Sequence, residues 1–126
     1  MMPSGKVVPG SAEVKTLSWI RTQPVASIQS VTNIQTEHDG IDLGEAEAIV
    51  LALELKANLL LMDERRGREL ATSYGISVTG LLGVLLQAKR SGLVPTVKPL
   101  VDQLIEEADF RVSQQLYETV LQTSGE

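Results

Sequence analysis

Residues 42–69, DLGEAEAIVLALELKANLLLMDERRGRE, decide how this chain folds. Positions 43–56 hold no proline, no glycine after Gly44, and mostly Ala, Leu and Glu, all good helix formers. Asp42 suits the N-cap, and Glu45 stands at the capping-box spacing three residues on. At about 100° per residue, Glu47 and Glu54 share one narrow stripe. Ala46, Ala48, Ile49, Val50, Leu51, Leu53 and Leu55 occupy most of the remaining circumference, which predicts a largely buried helix. Glu45 falls opposite the acidic stripe, beside Ile49 and Ala52, and so points inward, where an unpaired carboxylate is costly.

Lys56-Ala57-Asn58 then forms a turn, and Leu59-Leu60-Leu61-Met62 runs without a polar break. A short uniform apolar run bounded by turn signals fits a strand covered on both faces, as in a parallel sheet. Asp63-Glu64 ends it, and Arg65, Arg66 and Arg68 open a helix that closes at Tyr74, with Gly75 as its C′ residue. In open α/β sheets ligands collect beyond the carboxyl ends of the strands, which is where Asp63 stands.

The rest of the chain extends this pattern. With 126 residues, 43% of them apolar, it is expected to form a single globular domain spanning 1–126, with an irregular stretch at 1–10. Cysteine is absent, which excludes disulfides, thiolate catalysis and Cys-ligated zinc. No apolar run approaches membrane-spanning length and 1–10 lacks a signal-like apolar stretch, so no membrane association and a cytoplasmic location are expected. The net charge is −5, and Glu37, Asp39, Asp42, Glu45, Glu47 and Glu54 fall between Thr36 and Leu55 without a Lys or Arg. A generic nucleic-acid binder would present a basic face instead. The basic groups are local: Arg65, Arg66 and Arg68, and the pair Lys89-Arg90.

Taken in order, Ser11 caps a short helix over 12–20 with Val14, Leu17 and Trp19 inward. Residues 25–31 form a weak strand, and 32–40 a loop carrying His38, the only histidine. Past the central stretch, Ile76–Thr79 alternates like a strand and Thr79 caps a helix over 81–91. Pro99 sits in the first turn of a helix striped by Leu100, Val101, Leu104, Ile105 and Ala108. Phe110–Val112 is extended, and Ser113 caps a last helix bearing Leu116, Tyr117, Val120 and Leu121. Trp19, Tyr74, Phe110 and Tyr117 are read as core fillers. Strands alternating with helices predict an α/β fold with a small, mainly parallel sheet of about three strands, below the usual five or six, and a helix-rich C-terminal half.

From Asp42 to the end, the chain resembles the PIN-domain family, and more closely a prokaryotic subgroup catalogued as a domain of unknown function and described as predicted nucleic-acid-binding. The motifs are Leu43-Gly44-Glu45-Ala46-Glu47-Ala48-Ile49, Leu59–Asp63 with Arg65-Arg66-Gly67-Arg68, Val78–Leu85 with Ala88-Lys89-Arg90, and Phe110–Ser113 with Leu116-Tyr117. The resemblance implies a three-layer α/β fold. It also implies a Mg²⁺- or Mn²⁺-dependent endoribonuclease, in many members the toxin of a toxin–antitoxin pair, so that RNA and an antitoxin protein are the partners implied. In that family the acidic site combines an Asp on the first strand, a Glu opening a middle helix and an Asp ending a later strand. By motif Glu45 matches the second and Asp63 the third, and Glu64 stands where many relatives carry another acid. No segment of this chain matches the first strand with its Asp, so a truncated sheet and an incomplete acidic site are expected.

Under this resemblance Glu45 and Asp63 are catalytic, Glu45, Asp63 and Glu64 hold the metal, and Arg65 and Arg66 contact substrate phosphates. A hard ion such as Mg²⁺ prefers oxygen donors and keeps several waters, which carboxylates at a strand end allow. Plainer readings stand beside these roles: Asp42 and Glu45 as a capping box alone, Asp63 as N-cap of the helix that follows it, and the arginines as a solvated face pairing with Glu64 and Glu69. The second functional reading is an inactive PIN-like remnant that works by association. A sheet lacking a strand exposes an edge or apolar surface, which predicts a homo-oligomer joined through residues 11–20 or 80–105.

Overall fold

In the computed structural model, which describes residues 10–126, the chain runs α1 (Ser11–Thr16), α2 (Ile28–Glu37), α3 (Leu43–Leu55), β1 (Leu60–Leu61), α4 (Arg65–Ser73), β2 (Val78–Thr79), α5 (Leu81–Arg90), α6 (Lys98–Glu107) and α7 (Gln114–Ser124). Apart from Gly10, the stretch expected to be irregular lies outside the described residues. The fold is a helix-rich α/β arrangement around a two-stranded parallel sheet, in which Leu60 pairs with Val78 and Leu61 with Thr79. Leu60 N–H donates to Ser77 O at 2.8 Å and Met62 N–H to Thr79 O at 2.9 Å, so the two strands end together at Leu61 and Thr79, with Asp63 and Gly80 just beyond them. No helix among the described residues is long and apolar enough to cross a membrane.

The capping box predicted at α3 is present in both directions. The helix stops at Lys56, whose backbone turns left-handed (φ 52°, ψ 49°), and Ala57 N–H closes back onto Ala52 O at 2.9 Å. That is a Schellman closure, built here on a residue other than the usual glycine. Tyr74 ends α4 with Gly75 at φ 80°, and Ser113 Oγ accepts the Leu116 N–H at 3.1 Å to start α7, both as the sequence predicts.

Two apolar clusters hold these elements. The first joins Val31 and Ile34 of α2, Ile41, the inner face of α3, Met62, Ala71 and Ile76. The second joins Val97, Val101 and Val120 with flanking leucines of α5 and Tyr117. Ile49 is fully enclosed, and truncating such a residue to alanine costs about 2–5 kcal/mol.

Several expectations need correction. The strand predicted at 25–31 and most of the loop at 32–40 are instead the approach to α2 and the helix itself, leaving two strands among the described residues where about three were expected. The helix wins because Ser27 Oγ accepts the Ser30 N–H, and Val31 and Ile34 bury one face at helical spacing. Both oxygens of the Glu54 carboxylate reinforce this start by accepting Ala26 N–H and Ser27 N–H at 2.9 Å each. Ser11 lies inside α1, which ends at Thr16, so that helix is shorter than predicted and is capped by Gly10. Thr79 does not cap α5, whose N-cap is Gly80.

The interior is also smaller than the sequence suggests. Helix α3 is buried on one face only, with Leu43, Leu53 and Leu55 exposed. The apolar strand is covered on one side: Met62 is buried and Leu60 half-buried, whereas Leu59 and Leu61 are 56% and 54% exposed. Val14, Leu17, Trp19 and Tyr74 are likewise at the surface, with Trp19 77% exposed, so neither aromatic fills the core.

Candidate functional site

Glu45 reaches the strand-end region through its capping role. Its Oε1 accepts the Asp42 N–H at 3.0 Å, which fixes the carboxylate, and its Oε2 lies against the first turn of α4. Contact is possible because position 67 is glycine: a Cβ there would stand 3.1 Å from Glu45 Oε2 and collide with Met62 Sδ. Glu45, expected from helical geometry to point inward, is half-buried.

Asp63 stands two residues past β1, and its Oδ1 accepts the Leu81 N–H at 2.8 Å. It therefore supplies the first turn of α5, whose own N-cap, Gly80, has no side chain to offer. The expected cap on the following helix is absent: Glu64 is the N-cap of α4, with no side-chain bond to it. Gly80 carries the same logic as Gly67, since a Cβ there would stand 2.8 Å from Asp63 Oδ1 and 3.3 Å from a guanidinium nitrogen of Arg68.

Each of the two carboxylates thus has one oxygen bound to a backbone N–H, and both border the start of α4. Glu64 is exposed at the N-cap of α4. Among the described residues no group of three or more His, Cys, Asp or Glu side chains is gathered as a metal cluster. The donor chemistry nevertheless suits Mg²⁺ or Mn²⁺. Both groups offer hard oxygens held in place from behind, and Mg²⁺ is often held by one or two carboxylates, with waters and substrate phosphates completing its shell.

The arginines of α4 divide sharply. Arg65 is tied to Glu69 at 3.0 Å in an exposed i,i+4 pair, as the plainer reading predicts. Arg66 donates to Asp39 O at 2.9 Å and packs over Gly40, clamping the loop before α3. Arg68 enters no ion pair among the described residues, and its guanidinium lies at Gly80 beside Asp63. A surface cleft of about 410 Å³ is lined by Arg65, Arg68, Glu69 and Thr72. A second, of about 420 Å³, has His38, Asp39, Arg66 and Glu69 among its walls.

A second charged cluster lies among the C-terminal helices. Glu126 accepts Val97 N–H at 2.8 Å and Lys98 N–H at 3.1 Å at the start of α6, and pairs with Lys89 at 2.9 Å. The backbone bond from Val97, aided by Lys89, holds its carboxyl down to about 2. Asp102 accepts from Lys98 at 2.8 Å and from the Tyr117 hydroxyl at 2.6 Å, bonds that hold its carboxyl below the usual range and push Tyr117 and Lys98 up. Both carboxylates are consumed by these bonds, and neither has an unengaged partner beside it.

By sequence Arg65 and Arg66 are the expected phosphate contacts; what distinguishes Arg68 is position, since its turn of α4 faces Gly80, the N-cap of α5, which the β1–β2 register sets beside Asp63. Comparison with known proteins extends the likeness beyond residues 42–126. A family model described as a PIN domain matches residues 1–126. No curated protein and no solved structure matches the chain.

Proposed function

This chain belongs to the PIN-domain family, and on that premise we propose that it is a metal-dependent endoribonuclease of the toxin type, with an acidic site built on Glu45 and Asp63. The observation that carries the proposal is the placement of these two carboxylates at the start of α4, each anchored through one oxygen. Glu45 and Asp63 would hold Mg²⁺ or Mn²⁺, with Glu64 joining from the N-cap of α4. When bound, such an ion supplies an activated water and neutralises charge on a phosphate.

The chain's own contribution is orientation. Backbone amides fix both carboxylates before any ligand arrives, so little reorganisation is needed on binding. Arg68 of α4, whose guanidinium lies at Gly80 beside Asp63, provides the cationic group at this end of the site, and RNA is the implied substrate. An antitoxin protein is the partner that accompanies this role. RNA cleavage with Mn²⁺ tests the reading through the wild type, Glu45→Gln and Asp63→Asn. A large loss in both variants is expected, and equal rates in all three would remove these residues from the chemistry.

One observation favours a second reading, an inactive module that works as a homo-oligomer. Among the described residues β1 pairs only with β2, leaving its other edge open beside the exposed Leu59 and Leu61. Open edges flanked by apolar side chains are sites of chain pairing. Val14, Leu17 and Trp19, and Val84, Leu93 and Ile105, add exposed apolar surface within 11–20 and 80–105. Light scattering should then give a mass above that of one chain, and Leu61→Lys should lower it. A stable monomer at micromolar concentration contradicts this reading.

A further inference from the structure

Three arginines enter α4, and the surroundings of each differ in a way that bears on substrate recognition. Arg65 is neutralised by Glu69 and Arg66 is anchored to Asp39 O, so both have structural partners. Arg68 has no ionic partner among the described residues, and its guanidinium stands with Asp63 over Gly80, at the carboxyl ends of both strands. We propose that Arg68 is the side chain that grips the RNA phosphate next to Asp63. This rests on the nuclease reading given above.

Two physical arguments support the assignment. Leu81 N–H, at the start of α5, is already taken by Asp63 Oδ1 and is not free to receive an incoming phosphate, which favours a side-chain donor. A phosphate beside a carboxylate also sets two like charges together, which a neighbouring guanidinium offsets. Arg suits that task because its planar fork can bind two phosphate oxygens at once. Gly80 keeps the space open, since any side chain there would press on both the carboxylate and the guanidinium.

The test measures binding apart from turnover. Fluorescence anisotropy of a labelled single-stranded RNA, in EDTA and across a salt series, would compare the wild type with Arg65→Ala, Arg66→Ala, Arg68→Ala and Arg68→Lys. Arg68→Ala should weaken binding about tenfold and lower the slope of log affinity against log salt by about 0.7, the share of one lost phosphate contact on a single strand. Arg68→Lys should keep the slope and recover part of the affinity. Arg65→Ala and Arg66→Ala should stay within about threefold of the wild type. Wild-type affinity and slope in Arg68→Ala would overturn the assignment, even if Asp63→Asn abolishes cleavage and so upholds the nuclease reading. A wild type that neither binds nor cleaves RNA would overturn both.

Discussion

Asp63 Oδ1 accepts the backbone N–H of Leu81 at 2.8 Å, so this carboxylate caps a helix that begins well beyond it in sequence. It therefore combines a structural bond with a proposed metal-binding role, and substitutions can separate the two. Asn keeps the carbonyl oxygen that accepts the bond and is as good a cap as Asp. Asp63→Asn should leave the urea midpoint nearly unchanged while removing Mn²⁺-dependent cleavage. Asp63→Ala should lose activity and about 1 kcal/mol of stability besides. Paired denaturation and cleavage measurements on both variants check this.

Glu45 can be dissected in the same manner. Gln serves the capping box as well as Glu does, so Glu45→Gln should stay within a few tenths of a kcal/mol of the wild type. Glu45→Ala removes the bond to Asp42 N–H and should cost about 0.5–1 kcal/mol. Calorimetric titration with Mn²⁺ should show weaker binding in both. Unchanged Mn²⁺ binding by Glu45→Gln would leave only the cap.

Gly80→Ala offers a test that leaves every charged group in place. The new methyl would lie 2.8 Å from Asp63 Oδ1, too close for any ordinary carbon–oxygen contact, so the carboxylate has to shift and its bond to Leu81 N–H is strained. The expected outcome is a loss near that of Asp63→Ala, about 1 kcal/mol, together with reduced cleavage. Thermal melts and rate assays on the single variant suffice to measure both.

Glu126 sets an acid limit on the C-terminal helices. Its carboxyl titrates at about 2 in the fold against an ordinary 4.5, so the unfolded chain takes up the proton more readily. Its stabilisation is therefore complete above about 4.5 and is lost as the pH falls towards 2. The urea midpoint of the wild type should drop across that window. Glu126→Gln should start lower at neutral pH and show a flatter acid limb.

Much of this architecture is legible in the sequence, wherever the cause is local. The Asp42–Glu45 box, the close of α4 at Tyr74-Gly75, Pro99 in the first turn of α6 and Ser113 before α7 depend on residues a few positions apart. The errors arose where a distant group decides the outcome. Residues 25–31 read as a strand because nothing nearby announces that Glu54 will hold the start of α2. Asp63 read as a cap for its own helix because its true partner lies across the β1–β2 register. Glu126 repeats the theme at α6. Several carboxylates that looked like surface charge or ligands thus serve helix starts elsewhere, where the backbone dipoles favour negative charge. Composition alone does not say which apolar groups find cover, and Trp19 and Tyr74 are two that do not.

The two apolar clusters share no residue, and the ladder that packs against the first is only two residues long on each strand. Amide exchange should then sort the chain into two tiers, with α5, α6 and α7 opening as one unit while α2, α3 and α4 stay closed. RNA held by Asp63 and Arg68 at the foot of α5 would slow exchange in both tiers at once, making protection of α7 a remote reporter of occupancy at the strand ends.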